Sequence, residues 1–292
     1  MLNRIAILGP GLLGGSLALA LKARVKSHVS MWARRPDVVK KVRAQGCADN
    51  ASTDLGEVVS GADTVVFATP VGVMADLARR IVPYLGKGTL VTDVGSVKAP
   101  VCAELGPIFA GSPAHFIGSH PMAGSEQTGL EAARPDLFDG AVCIVTPNET
   151  AASEDVERAT ALWQAVGGHV RILPPEEHDA IVATISHLPH LLAAVLVNTV
   201  SDVRPAAFDF CGPGFRDTTR IASGPTQMWT EILGENRVAV KAALDALIEK
   251  LRAASTVLAS GSSERDPSMN QLLTQAKAQR DRLRLPKILS DA

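Results

Sequence analysis

The stretch "GSHPMAGSEQTG", Gly118 to Gly129, holds His120 between Ser119 and Pro121, in a segment too rich in glycine and proline for a regular helix. A neutral imidazole exchanges a proton near neutral pH, so His120 is a candidate general base. Taken alone, it reads equally as a structural histidine. "DVGSVK" puts Asp93 at a strand end and Ser96 ahead of a helix; Ser96 suits a helix N-cap or a catalytic hydroxyl. "ISHLPHLL" sets His187 and His190 three apart, on one helical face. Two such histidines are half of a metal site, but no carboxylate motif accompanies them and no metal is expected. "GPGFRDTTRIASGPTQMW" places Asp217 three residues before Arg220, with Trp229 downstream. By spacing the first two read as an exposed ion pair, and Trp229 as a core or interface residue.

A second constellation points to a dinucleotide. Gly9-Pro10-Gly11-Leu12-Leu13-Gly14 follows an apolar run, "RIAIL", and opens a helical pattern. In that context Gly9 permits the turn, Gly11 lets a pyrophosphate approach the backbone, and Gly14 allows close helix–sheet packing. The helix N-terminus, from Leu12 and Leu13 on, offers N–H donors to the phosphates. Thr69 and Pro70, ending "TVVFATP", complete the expected cofactor contacts. After the second strand the chain reads "SMWARRPD". An acidic residue there would bind the ribose hydroxyls of NAD; Arg34 and Arg35 instead suit the 2′-phosphate of NADP. NADP is favoured, and Asp37 is the residue that keeps NAD open.

These groups need a scaffold. Strand patterns at Arg4–Leu8, His28–Ala33, Thr64–Pro70, "TLVTDVGS", "HFIGS", "AVCIVTP" and "HVRILP" alternate with helical patterns, including one ending at Gly46, one through about Pro83 and one from about Val97. The alternation predicts an α/β domain with a mostly parallel sheet. In open sheets of this kind ligands lie beyond the carboxyl ends of the strands. His120, just past "HFIGS", and Ser96 fit that place. From Glu176 on no strand pattern appears, and Ala, Leu and Val recur at helical spacing, as in "NRVAVKAALDALIEKLRAASTVLAS". A charged amphipathic helix is expected at "NQLLTQAKAQRDRLRLP". The expected organisation is a Rossmann dinucleotide-binding domain over 1–174 and an all-helical substrate-binding and dimerisation domain over 175–292.

The bulk composition narrows the function. The chain has 292 residues, 46% of them apolar, enough for two cored units. A net charge of −1 argues against a nucleic-acid partner. Cys47, Cys102, Cys143 and Cys211 are scattered, which reads as a reduced cytoplasmic protein without zinc. The opening residues run directly into a strand pattern, so no signal peptide is expected. Leu188–Val200 is too short to span a bilayer, which takes ~20 residues, and is expected as a buried core helix. A helix such as Ile181–Thr199, apolar on several sides, predicts a homodimer through 175–292.

Together "DVGSVK", "GSHPMAGSE", "SHLPH" and "GFRDTTRIA…MW" resemble the prephenate/arogenate dehydrogenase family of tyrosine biosynthesis, over nearly the whole chain to about Asn236. The resemblance implies a Rossmann domain followed by a helical dimerisation domain. It also implies oxidative decarboxylation of prephenate or arogenate, with hydride passing to NAD(P). It assigns His120 as the catalytic histidine and Ser96 as the serine that orients it and the nicotinamide. Arg220 becomes the binder of a substrate carboxylate, and His187 a pocket residue. Glu126 falls at the pocket mouth, and Asp217 and Trp229 support the site. Some family members carry a chorismate mutase or a regulatory domain, for which this chain has no room. Two rival readings are a β-hydroxyacid or ketol-acid type dehydrogenase and a non-catalytic NADP-binding protein. The absence of lysine from Pro175 to Arg204 counts against the β-hydroxyacid type. The conjunction of Ser96, His120 and Arg220 counts against a non-catalytic protein.

Overall fold

The structure is a computed structural model. It describes residues 2–125, 127–259 and 267–283. The first strand, β1 (Arg4–Leu8), is buried after its first residue, as expected of a parallel strand covered on both faces. Its side chains alternate between two cores. Ile5 and Ile7 pack with Leu17, Leu21, Phe138 and Trp163 on one face, while Ala6 and Leu8 pack with Val65, Phe67, Met74 and Ile81 on the other.

Helix α1 (Leu12–Arg24) crosses from β1 to β2 (His28–Trp32), and α2 (Pro36–Ala44) leads to β3 (Asn50–Ser52). Then come α3 (Leu55–Val59), β4 (Thr64–Phe67), α4 (Met74–Ile81), β5 (Leu90–Asp93), α5 (Ala99–Ala110) and β6 (His115–Phe116). The six strands form one parallel sheet in the order β3-β2-β1-β4-β5-β6. The chain reverses direction across the sheet between β1 and β4, and that switch point is where such folds hold dinucleotides. The short β3 and α3 had no clear signal in the sequence: three residues of strand and five of helix carry little periodicity.

The "HFIGS" segment is not one strand. It breaks after β6, and Gly118–Pro121 becomes β7 of a second sheet, antiparallel to β8 (Val142–Thr146), with β9 (His169–Ile172) parallel beyond it. His120 therefore lies within a strand, paired with Ile144, and not in a loop past one. Two contacts account for the break. The Ser119 N–H is taken by the Asp93 carboxylate at 3.0 Å. Gly118 lets the chain cross where a Cβ would meet Thr146 Oγ1 at 2.5 Å and Cys102 Sγ at 3.0 Å. Helix α6 (Ser153–Ala165) connects β8 to β9.

After β9 the described residues contain only helices: α7 (Pro175–Val182), a π-helical turn (Ala183–His187), α8 (Leu188–Val203), α9 (Pro213–Thr219), α10 (Thr226–Glu235), α11 (Arg237–Ala259) and α12 (Pro267–Asp281). The end of the expected charged helix, past Leu283, lies outside the described residues. Pro189 explains the π turn. It has no N–H to give the preceding turn, and its ring crowds the carbonyl four residues back. Helical conformation nevertheless continues through Pro175–Val203, 29 residues, whose most apolar 18-residue window has a mean hydropathy of 1.9. By length and composition this longer helix is sufficient to cross a bilayer, whereas the run Leu188–Val200 by itself is too short. Its burial also differs from expectation: within one chain Leu192, Val195 and Val203 are exposed, and only His190 and Ala193 of α8 are buried.

Candidate active site

The glycine loop sits at the carboxyl end of β1. Gly9 has φ +112°, and a Cβ on it would fall 2.5 Å from the carbonyl oxygen of Ala68. A Cβ on Gly14 would fall 2.0 Å from the Gly9 oxygen. Gly11, by contrast, faces nothing within 4 Å. The loop is clamped at both ends and open at its middle. Helix α1 has no side-chain cap and no acid in its first turn, so its leading N–H groups are available to an anion. Leu12 and Leu13 begin that helix, half-buried. Thr69, beside Gly9 and followed by Pro70, keeps a buried hydroxyl without a partner among the described residues. This corner fits a dinucleotide pyrophosphate. Arg34 and Arg35 stand exposed after β2, and Arg35 lies 3.6 Å from Asp37.

Strand β5, beside β4 in the sheet, ends in Asp93, wholly buried and ion-paired with the equally buried Lys98. Asp93 also accepts the Gly95 N–H at 2.8 Å. Ser96 lies in this turn, half-buried. It is not the N-cap of α5, which is Lys98. The cap function comes from the other half of the chain: the Asp179 carboxylate accepts the N–H of Lys98 at 2.7 Å and of Ala99 at 2.9 Å.

Asp179 also accepts from His178 Nδ1 at 2.7 Å, and His178 Nε2 lies 2.8 Å from His120 Nδ1. The sequence reading missed both residues. "PPEEHDA" looks like an ordinary helix start, and nothing local to it marks a site. His120 is buried by β7, and burial, then His178, Lys98 and His187, hold its pKa well below 6.5. Burial also lowers His178, against the opposing effect of its hydrogen bond to Asp179.

At the end of the π turn, His187 is brought down to about 4, chiefly by burial. Asn236 Nδ2 donates to the Asp179 backbone carbonyl at 2.8 Å and lies 3.1 Å from His187 Nδ1. An amide nitrogen only donates, so Nδ1 of His187 accepts and Nε2 carries the proton. That Nε2 is buried and has no partner among the described residues, a donor available to a ligand. Trp229 closes the group, stacked on His190 with centroids 3.5 Å apart and edge-on to His187. Its indole approaches Gly224, where a Cβ would meet Nε1 at 2.6 Å. Gly224 ends the short helical turn Arg220–Ser223, on which Arg220 is exposed, as is Asp217 on α9. Glu126 lies outside the described residues. Among the described residues no three histidine, cysteine or carboxylate side chains group as a metal site.

The arrangement supplies an anion-binding loop, a buried neutral imidazole and a buried N–H donor. Comparison with known proteins adds to it. "Prephenate dehydrogenase, nucleotide-binding domain" matches residues 17–172, and "Prephenate dehydrogenase, dimerization domain" matches 174–275. The cyclohexadienyl dehydrogenase of Zymomonas mobilis is 34% identical over 264 residues, 88% of this chain and 89% of that one. The prephenate dehydrogenase of Bacillus subtilis is 35% identical over 81% of this chain, which spans 65% of the relative's length. A crystal structure of prephenate dehydrogenase from A. aeolicus, with hydroxyphenyl propionate and NAD+, superposes with a TM-score of 0.89 at 28% identity, covering 97% of this chain and 99% of that one.

The depressed histidines make stability depend on pH. A histidine that stays neutral when folded but titrates near 6.5 when unfolded gives the unfolded chain the extra proton. The stabilisation is therefore complete above about pH 6.5 and is lost as pH falls, for His187 down to about 4. The guanidinium midpoint should fall between about pH 7 and about pH 5, ahead of carboxylate titration. A midpoint constant over that range would contradict the buried neutral cluster.

Proposed function

Because the chain belongs to the prephenate dehydrogenase family, we propose that it carries out NAD(P)-dependent oxidative decarboxylation of prephenate, arogenate or both, with His120 as the base. The observation that carries this reading is a buried histidine on β7, held well below its usual pKa and bonded to His178, in a chain whose glycine loop is clamped at the sheet's switch point. We read residues 1–174 as the dinucleotide-binding unit and 175–292 as the substrate-binding and dimerisation unit.

The substrate is a cyclohexadienol with a ring carboxylate. When bound, the nicotinamide accepts hydride from the ring carbon that bears the hydroxyl. His120 takes the hydroxyl proton, which must leave as the carbonyl forms. The resulting vinylogous β-keto acid loses CO2 and becomes aromatic, so the protein's main task is orientation. Arg220 holds a substrate carboxylate through its planar fork. His187 contributes its unpaired Nε2–H, and Ser96 orients the reacting groups from the turn after β5. Trp229 and Asp217 support the site.

For the cofactor we favour NADP. Arg34 and Arg35 stand exposed after β2, and Asp37, the one acid near that turn, lies 3.6 Å from Arg35. A bound NAD+ in the A. aeolicus structure supports the nicotinamide class. For assembly we favour a homodimer. Val203, Phe210, Val238, Leu251 and Leu258 are exposed apolar residues of the helical half, which a second copy would cover. The cysteines are free, in keeping with a reducing cytoplasm.

Purified protein should form reduced nicotinamide and CO2 in equal amounts from prephenate or arogenate. His120→Asn should lower kcat by ~10²–10⁴ while dinucleotide still binds. A near-normal kcat would return His120 to a structural role.

Arg34→Ala should weaken NADP by ~10–100-fold and leave the KM for NAD nearly unchanged. A wild-type preference for NAD in kcat/KM would reverse the cofactor choice.

Light scattering at micromolar protein should give twice the 30.6 kDa chain mass; the mass of one chain would refute the dimer.

A further inference from the structure

The hydrogen bonds around His120 have a direction that side-chain chemistry fixes. The Asp179 carboxylate accepts from two backbone N–H groups and from His178 Nδ1. A carboxylate only accepts, so His178 carries its proton on Nδ1. A neutral His178 then has a lone pair on Nε2. His120 Nδ1, 2.8 Å away, must be the donor. That leaves the lone pair of His120 on Nε2, the far side of the ring from His178. Building on the reading of His120 as the base, we infer that His178 and Asp179 are positioning residues that lock His120 in the Nδ1–H tautomer and so aim its basic Nε2 at the substrate hydroxyl.

The proton balance is simple. The substrate O–H bond breaks, and its proton bonds to His120 Nε2. The imidazolium keeps its Nδ1–H on His178 Nε2. If that proton moves across, the positive charge comes to rest on His178, beside Asp179. The other charged or titratable groups facing this pair are Asp93 at the end of β5, Lys98 at the start of α5 and His187 on the π turn. Lys98 disfavours a cation on either ring; its own pairing with Asp93 limits that effect. Asp179 comes with its orientation set, because the helix start it caps cannot turn away.

Nitrogen-15 spectra of histidine-labelled wild-type protein at about pH 8, where histidines are neutral, test the tautomer directly. The His120 resonances are those lost in His120→Asn. A protonated Nδ1 and a bare Nε2 are expected; the opposite tautomer overturns the inference. Kinetics give a second readout. In His178→Gln the amide oxygen still accepts from Nδ1, whereas His178→Ala removes the partner. The Gln variant should keep kcat about tenfold above the Ala variant, with dinucleotide KM unchanged in both. Equal losses in the two, or an Ala variant with wild-type kcat, overturn it. Asp179→Asn should lower kcat, because an amide has one acceptor atom where Lys98 N, Ala99 N and His178 Nδ1 use both carboxylate oxygens; an undiminished kcat would overturn the positioning role. If wild-type protein turned over neither prephenate nor arogenate, the functional reading would fall, and the spectrum would still decide the tautomer.

Discussion

One carboxylate, that of Asp179, joins the two halves of the molecule. It caps α5 in the dinucleotide unit through two backbone N–H groups, and it holds His178 on its own helix. Its backbone carbonyl takes Asn236, the residue before α11. The first turn of α5, α7 and the start of α11 are thus fixed to one another by one nearly buried residue. A helix start needs acceptors for its free N–H groups. Here that need is met from a distance, so the cap also serves as the joint that sets the helical half against the sheet.

The histidine cluster depends on that joint. His120 comes from β7, His178 from α7, His187 from the π turn and His190 from α8, and all four are buried. Burial penalises the cation, and each of the four is pushed down in pKa. The site is therefore built from neutral rings whose N–H groups and lone pairs point in set directions. That suits a reaction in which the first requirement is a vacant lone pair at a chosen place. The buried ion pair of Asp93 with Lys98 adjoins it. Asp93 gathers the Gly95 and Ser119 N–H groups, so the end of β5 and the start of β7 are anchored where His120 must stand.

The helical half has a different balance. Pro175–Val203 is one of the most apolar stretches, yet one chain covers only 28% of its most apolar window. Its buried polar residues face the site, and much of its apolar surface faces outward. An outward apolar side of this kind is the surface that the proposed dimer would cover.

Local patterns in the sequence carried much of this. The glycine loop was legible because its three positions answer to steric needs within a few residues: a positive φ at Gly9, open space at Gly11 and contact at Gly14. The buried strands were legible because parallel strands read as unbroken apolar runs, and the order of motifs along the chain indicated the family. His120 stood out by residue type and setting. The rest was decided by packing between distant segments. Nothing in "PPEEHDA" reveals that His178 meets a ring 58 residues away, or that Asp179 caps a helix 80 residues away. The division of "HFIGS" into two strands depends on a carboxylate from β5, and the π turn on how the chain accommodates Pro189. Sequence periodicity reports on each residue's own few neighbours, whereas a hydrogen bond between separate elements exists only once those elements have packed.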